Sequence, residues 1–318
     1  MGSLYDLIIC EIKKCVTIRN VGAIIFLISC VMVIYSFAFD RIPISTWKES
    51  SMELRKYQVE TIDKMNKLKT LSTDEEASLE YKQVTEICNN IVKKIDYCLE
   101  NDIPYNPSNV WFFLSRIDKL GMGIVILAVV LSARVLGIEN ENFTWKNMFI
   151  SGNSRTKLIF AKVIFSLLIS IGIFLACAFI AFLVGFFRFG FNGNDILIIN
   201  IINDKIASEN MIINFIYFNF ISIIKSIFYI SLLMCIGAIL DKDRISTVAI
   251  VCLVIGNNGI KDSVAQYRLS ELLPFKYLAY TINDMKVVNN IVQFFTVLIL
   301  FSILFYLISI YIYKTKDY

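Results

Sequence analysis

The stretch Val163–Phe187, VIFSLLISIGIFLACAFIAFLVGFF, contains no charged side chain. About 20 mostly apolar residues in an α-helix cross the hydrocarbon core of a bilayer, so this stretch is long enough to do so. The whole chain agrees, since 57% of its 318 residues are hydrophobic and 18% are charged, against about 45 to 50% and about 25% in soluble proteins. The sequence therefore predicts an all-α membrane protein.

Five further apolar runs bring the predicted number of transmembrane helices to six. They are Val21–Phe39, Leu120–Ile138, Phe215–Leu240, Ile245–Gly256 and Ile291–Tyr313. The run Ile245–Gly256 reaches only about 18 Å at 1.5 Å per residue, so it is too short to cross unaided. If both termini lie inside, the inner loops hold about twice as many Lys and Arg residues as the short outer loops, as the positive-inside rule requires. We therefore expect a multi-pass protein of the plasma membrane with both termini in the cytoplasm.

The segment before the first span has the pattern of an amphipathic helix. Its apolar residues repeat at helical spacing from Leu4 to Val16, and charged residues, including Asp6 and Glu11, lie opposite them. This pattern is typical of a helix lying in the inner membrane interface, and the acidic residues argue against a cleaved signal peptide. The alternative is an ordinary start to the first span. Residues 1–39 form the first predicted unit, an interfacial helix followed by a span.

Residues 40–119 are far more polar than the rest of the chain and predict an extracellular domain between the first and second spans. Two apolar stripes at helical spacing indicate an antiparallel helical hairpin, with Thr73 and Glu76 as a capping box between them. The stripes are Met52, Val59, Ile62, Met65 and Leu68, then Val84, Ile87, Ile91, Ile95 and Leu99. The remaining spans occupy residues 120–318.

The composition excludes several functional classes. The chain has no His, which removes His-based catalysis and the commonest metal ligand, and we expect no metal site. It has no phosphate-binding G-x-x-x-x-G-K-[ST] motif, so we expect no nucleotide to bind to this chain itself. The net charge of +4 comes from scattered basic residues and does not indicate a nucleic-acid surface.

Two charged residues lie inside apolar runs. Lys225 has no acidic residue in any other predicted span as a partner, which makes it a candidate for the substrate pathway. It faces a water-filled cavity, a partner subunit or an anionic group of the substrate, or else it extends outward to the interface. Arg134 lies near the cytoplasmic end of its span, which favours extension to the interface.

Six of the eight cysteines lie in apolar segments, where packing is the simpler role. Cys88 and Cys98 are about 15 Å apart on one predicted helix and are too distant to form a disulfide with each other.

The loop between the second and third spans, Gly137–Lys162, reads GIENENFTWKNMFISGNSRTKLIFAK. It resembles the cytoplasmic loop of ABC-2 type exporter permeases: an acidic end to the second span, a short amphipathic helix, a Ser-Arg turn and a Lys that opens the third span. The matching residues are Glu139, Glu141, Thr144, Ser154, Arg155 and Lys162. The glycine that precedes the threonine in the family is Phe143 here, and a common turn proline is replaced by Gly152-Asn153.

The resemblance implies that residues 139–162 couple the chain to a separate ABC ATPase. Asn142–Ile150 is then the coupling helix, with Trp145 and Phe149 among the residues that dock into the ATPase. The alternative is an interfacial aromatic anchor flanked by ordinary basic residues. The resemblance also implies a re-entrant segment at residues 257–290, after a break at Asn257-Asn258-Gly259.

The function that this resemblance implies is that of a permease subunit, not an enzyme. It would work as a homodimer or heterodimer, with ATP and Mg²⁺ bound only by the partner ATPase. The apolar, aromatic spans and the external domain favour an amphipathic or hydrophobic cargo, such as an antimicrobial peptide, bacteriocin or similar toxic amphiphile. The alternatives are a membrane sensor, or an accessory or assembly subunit whose hairpin binds a ligand. An intramembrane enzyme is disfavoured because the spans hold no acid/base pair.

Overall fold

The structure is a computed structural model that describes residues 4–15, 18–39, 46–71, 75–142, 154–191, 196–202, 205–240, 243–264, 268–281 and 288–315. The α-helices are α1 Leu4–Cys15, α2 Ile18–Ser36, α3 Trp47–Leu71, α4 Glu75–Glu100, α5 Val110–Ser115, α6 Gly121–Asn142, α7 Arg155–Phe189, α8 Met211–Leu240, α9 Asp243–Val264, α10 Pro274–Leu278 and α11 Val288–Thr315. Two strands, β1 Leu197–Ile202 and β2 Lys205–Asn210, form a small antiparallel sheet. The all-α prediction therefore fits, with one β hairpin added.

All six predicted apolar runs lie in helices, namely α2, α6, α7, α8, α9 and α11. Among the described residues, three segments are long and apolar enough to cross a membrane: Thr156–Phe189, Met211–Leu240 and Asn290–Thr315. These three helices make the chain a membrane protein by length and composition.

The predicted helix break at Asn257-Asn258-Gly259 is wrong. Helix α9 continues through these residues to Val264 and has 22 residues, or about 33 Å. Asn and Gly each cost at most about 1 kcal/mol relative to Ala inside a helix. Packing of α9 against α6 and α10 outweighs this cost. The apolar run alone therefore underestimated the length of the helix.

The chain divides into two compact units. Unit 1 comprises Met1–Val31, Ile117–Ile180 and Ile216–Tyr318. In this unit, α6 packs against α9, and α10 packs against both α9 and α11. A buried hydrogen bond of 2.5 Å between the hydroxyls of Ser170 and Ser226 joins α7 to α8. Unit 1 is thus held together by apolar packing with buried polar links between helices.

Unit 2 comprises Met32–Arg116 and Ala181–Phe215. Helices α3 and α4 lie side by side, and Arg55 near the start of α3 donates a 2.6 Å hydrogen bond to Asp96 near the end of α4. Of the predicted α4 stripe, Ile95 is fully buried, but Ile87 is 59% exposed. Cys88 and Cys98 are buried free thiols on that face instead. Burial raises the pKa of the Cys98 thiol to about 11.

An aromatic cluster forms the core of unit 2 around α5. The ring centroid of Phe113 lies 6.1 Å from that of Tyr35, 5.9 Å from Phe39 and 5.6 Å from Phe189. The Tyr35 hydroxyl donates a 2.7 Å hydrogen bond to the Arg116 carbonyl. These contacts fix α2, α5 and α7 to one another within the unit.

The β hairpin was not predicted, because residues 188–214 read as a loop in an all-α chain. In the structure, Leu197 pairs with Asn210, and Ile202 pairs with Lys205. Strand β1 packs against α4. The side chain of Asn210 then accepts a 2.9 Å hydrogen bond from the Ile212 backbone N–H at the start of α8. The hairpin therefore leads directly into the capped start of the next long helix.

Candidate functional site: a polar cavity at Lys225

A cavity of about 260 Å³ lies within unit 1 among α6, α8, α9 and the residues at and after the end of α10. Its polar lining residues are Asp118, Ser222, Lys225, Tyr229, Asn257, Asn258 and Thr281. Its apolar walls include Phe218, Val254 and Leu278. A cavity of mixed polarity within an apolar helical unit is a candidate binding site.

Helical spacing brings the α8 residues to one wall of the cavity. Phe218, Ser222, Lys225 and Tyr229 follow one another at intervals of three or four residues, so they lie on one face of α8. Across the cavity, Val254 and Asn257 are one turn apart on α9. Regular helical spacing in α8 and α9 therefore places all these side chains around the Lys225 cavity.

The segment after α9 forms a third side of the site. Pro274 occupies the first turn of α10, where its missing N–H costs nothing. The hydroxyl of Tyr277, a residue that is 1% exposed, donates a 2.6 Å hydrogen bond to the Glu271 carbonyl. This bond fixes α10, so the backbone at Tyr280 and Thr281 has a defined position at the cavity.

Lys225 is half-buried, and its ammonium group is directed at this backbone. Lys225 Nζ donates a 2.7 Å hydrogen bond to the carbonyl oxygen of Tyr280. The side chain therefore lies along the cavity wall. Its assignment to a substrate pathway stays a prediction.

Asp118 lines the same cavity as Lys225 and was missed by the sequence analysis. It lies in a short 3-10 helix, Ile117–Leu120, just before α6. The search for acidic partners considered only the predicted spans, and Asp118 precedes the run that begins at Leu120. The helical turn before α6 places this carboxylate beside the apolar helices, and a search that included the flanking turns would have found it.

Asn257 is the most buried amide at the site. Its side chain is 5% exposed, and its Oδ1 has no hydrogen-bond partner among the described residues. A buried carbonyl oxygen without a donor is costly, and native proteins rarely leave one unsatisfied. The sequence analysis interpreted this residue as part of a helix break and therefore overlooked it.

The predicted coupling residue Lys162 lies elsewhere in unit 1, in the interior. It is 1% exposed, and Glu11 of α1 is 3% exposed. One turn before each of these residues, Leu7 of α1 packs in one cluster with Leu158 of α7. The N-terminal helix and the start of α7 thus place two charged residues in the same buried layer.

The structure says less about the other predicted coupling residues. Glu139 and Glu141 lie in the last turns of α6, and Arg155 is the first residue of α7, but their side chains are outside the description. Thr144, Trp145 and Phe149 lie outside the described residues altogether. Within the described ranges, no group of three or more Cys, Asp or Glu residues has the arrangement of a metal site.

Comparison with known proteins places the chain in a family without naming an activity. No curated protein matches it. Residues 83–318, which include most of α4 and every element of the Lys225 cavity, match the family described as "Protein of unknown function (DUF2705)". Since the match covers most of the chain, this protein belongs to the DUF2705 family.

Proposed function

We propose that the protein is the membrane permease subunit of an ATP-driven ABC-2 exporter. Its cargo would be an amphipathic or hydrophobic substrate such as an antimicrobial peptide or bacteriocin. The observation that carries the proposal is the segment Gly137–Lys162, whose order of acidic, amphipathic and basic elements resembles the coupling loop of such permeases. A chain without a nucleotide-binding motif needs a partner to supply work, and this loop is a suitable point of contact.

The helices on either side of the loop support this role. Helix α6 ends at Asn142 and α7 begins at Arg155, so the connecting segment is short. Helix α7 has 35 residues and is about 52 Å long, whereas a bilayer core is about 30 Å thick. A continuous helix of this length can act as a rigid lever that carries a push on the loop into the membrane.

In this proposal, α2, α6, α7, α8, α9 and α11 are the six crossings, and both termini are cytoplasmic. Helix α1 lies at the inner interface, and α3 and α4 form the extracellular hairpin. The segment that follows the end of α9 at Val264, including α10, returns toward the outer surface. A second permease, identical or related, would complete the pathway, and ATP and Mg²⁺ would bind to the ATPase.

One cavity of unit 2 is too small to hold the ligand of a sensor. The space beneath α4, lined by Lys94, Cys98, Tyr105 and Arg116, measures about 20 Å³. A single water molecule needs about 10 to 15 Å³ by this kind of measure, so no cargo or signal molecule fits there. The larger cavity at Lys225 lies in unit 1, which contains most of the three long apolar helices.

The first test is to purify the full chain from its native cells in mild detergent and to identify the proteins that accompany it. Stoichiometric recovery of an ATPase with Walker motifs would support the proposal. A second permease in the same sample would establish a heterodimer. If no ATPase is recovered under conditions that preserve a known ABC transporter, the exporter proposal is wrong.

The coupling loop is tested separately with Trp145→Ala/Phe149→Ala in the full complex. We expect the double variant to assemble but to lose transport per ATP hydrolysed, because the loop would no longer dock into the ATPase. Tyr57→Ala, an exposed aromatic on α3, serves as the control and should behave as wild type. Normal coupling in the double variant would remove the loop from the mechanism.

A further inference from the structure

We infer that the Lys225 cavity binds one neutral secondary amide, the peptide group of the cargo, through Asn257 and Ser222. This inference rests on the proposed export of a peptide, and it names the part of the substrate that the site recognises. Its first basis is Asn257, which lines the cavity and whose buried Oδ1 has no hydrogen-bond donor among the described residues. Since a carbonyl oxygen only accepts hydrogen bonds, a ligand that satisfies it must carry an N–H or O–H donor.

The second basis is Ser222, whose hydroxyl lines the same cavity. Ser222 is 5% exposed and lies one turn before Lys225 on α8. A serine hydroxyl can donate to a carbonyl oxygen. Among its polar groups, the cavity thus offers an acceptor at Asn257 and a donor at Ser222, and a secondary amide presents the complementary pair, one N–H and one C=O.

The charges at the site favour a neutral ligand. Lys225 and Asp118 line the cavity together, so it contains one positive and one negative side chain. A ligand with a net charge would be attracted by one of them and repelled by the other. A neutral amide meets no such conflict, and it loses less solvation free energy than an ion when it leaves water.

The walls and the volume define the rest of the ligand. Phe218, Val254 and Leu278 supply apolar surface from three helices. At about 260 Å³, the cavity is slightly smaller than the roughly 300 to 1,000 Å³ of typical small-molecule sites. It therefore suits one residue of a peptide, with its apolar side chain against these walls, and not a folded peptide.

The test measures binding of two small probes to the purified full chain in nanodiscs, by ligand-observed NMR with empty nanodiscs subtracted. N-methyl-3-phenylpropanamide carries one secondary amide and one apolar ring, and methyl 3-phenylpropanoate is the ester of the same shape without the N–H. We expect the amide to bind about tenfold more tightly, because only the amide can donate to Asn257 Oδ1. Equal binding of the two probes would overturn the inference.

Variants then locate the preference. Asn257→Leu should abolish the difference between amide and ester, and Ser222→Ala should weaken the amide several-fold. Ser231→Ala is the matched control, since Ser231 is a buried serine of α8 that donates to the Phe228 carbonyl and does not line the cavity. An amide preference that persists in Asn257→Leu would refute the assignment.

The wild-type comparison needs no variant, so the inference stays testable even if Asn257→Leu does not fold. Its failure is also distinct from failure of the proposed function. If an ATPase co-purifies with the chain but the chain binds amide and ester equally, the protein is an exporter with another recognition site. If the chain prefers the amide but no ATPase co-purifies with it, the binding site is present and the exporter proposal is wrong.

Discussion

Gly185 of α7 lies where a methyl group has no room. A Cβ atom at this position would be 3.0 Å from Phe113 Cδ1 and 3.1 Å from Val110 Cγ2, well inside ordinary van der Waals contact. Phe113 is 1% exposed and Val110 is fully buried, so neither side chain has space to retreat. The aromatic neighbours of Phe113 within unit 2 hold its ring in place. We therefore expect Gly185→Ala to destabilise the protein.

The magnitude follows from two opposing effects. Overpacking of a tight core costs about 1 to 3 kcal/mol, and replacing glycine by alanine in a helix interior gains about 0.5 to 1 kcal/mol. The net loss for Gly185→Ala is thus about 0 to 2.5 kcal/mol. Gly172→Ala in the same helix is the matched control, since a Cβ at this position meets nothing within 4 Å. This variant therefore has the stabilisation from alanine in a helix without the cost of overpacking. The two variants should differ by about 1 to 3 kcal/mol.

The assay is thermal unfolding of the purified variants in one detergent, followed by tryptophan fluorescence. Trp111 is a suitable probe, because it packs against Phe182 and Phe191 in the same unit as Gly185. Gly185→Ala should unfold several degrees below Gly172→Ala, and adding Phe113→Leu should recover part of the loss. If Gly185→Ala is as stable as Gly172→Ala, the reasoning from close packing is wrong.

Three further predictions concern charged and titratable residues. Lys162 and Glu11 lie in the same buried layer, so Lys162→Met alone should cost about 3 to 5 kcal/mol by leaving the Glu11 carboxylate buried without a nearby positive charge. Adding Glu11→Gln should recover most of this loss, and equal unfolding midpoints of the single and double variants would show that the two charges do not interact. The free energy of unfolding should fall by up to about 2.5 kcal/mol between about pH 9 and pH 11 relative to Cys98→Ala. Because burial raises the pKa of Cys98 in the folded protein, the Cys98 thiol loses its proton at a lower pH in the unfolded state. If the free energies of unfolding of the wild type and Cys98→Ala change in parallel with pH, this prediction is wrong. Arg55→Ala should leave the midpoint almost unchanged, because its ion pair with Asp96 is exposed, and a large drop would show that the pair matters more than its exposure indicates.

The long apolar helices could be predicted because hydropathy is a property of consecutive residues. Thus α7, α8 and α11 match the runs seen in the sequence. The end of α9 could not be predicted in this way, because the contribution of Asn257 to helix stability depends on its packing against other helices. The β hairpin was missed because residues 188–214 lie between two predicted spans and were interpreted as a loop. The isoleucine-rich run Leu197–Ile202, followed by the turn residues Asn203-Asp204, was the available signal.

The face of α4 shows a second limit of periodicity. Ile87 and Cys88 are adjacent, and a hydropathy pattern selects isoleucine for the core. The structure buries Cys88 and exposes Ile87, because the buried line also has to include Ile95 and Cys98. Positions three, four or seven residues apart share a face. Cys88, Ile91, Ile95 and Cys98 satisfy this rule, as the predicted stripe does, so the spacing alone does not choose between the two faces.

The two lysines inside apolar helices show why charge in the sequence does not by itself define a role. Lys225 is half-buried beside a cavity of about 260 Å³. Lys162, in contrast, is fully buried in the same layer as Glu11. A buried ammonium group cannot dock directly onto an ATPase, so Lys162 would act in coupling through α1. In the proposed exporter, a push on the loop before Arg155 would then move α1 together with α7. The N-terminal helix would be part of the moving lever and not a passive anchor in the interface.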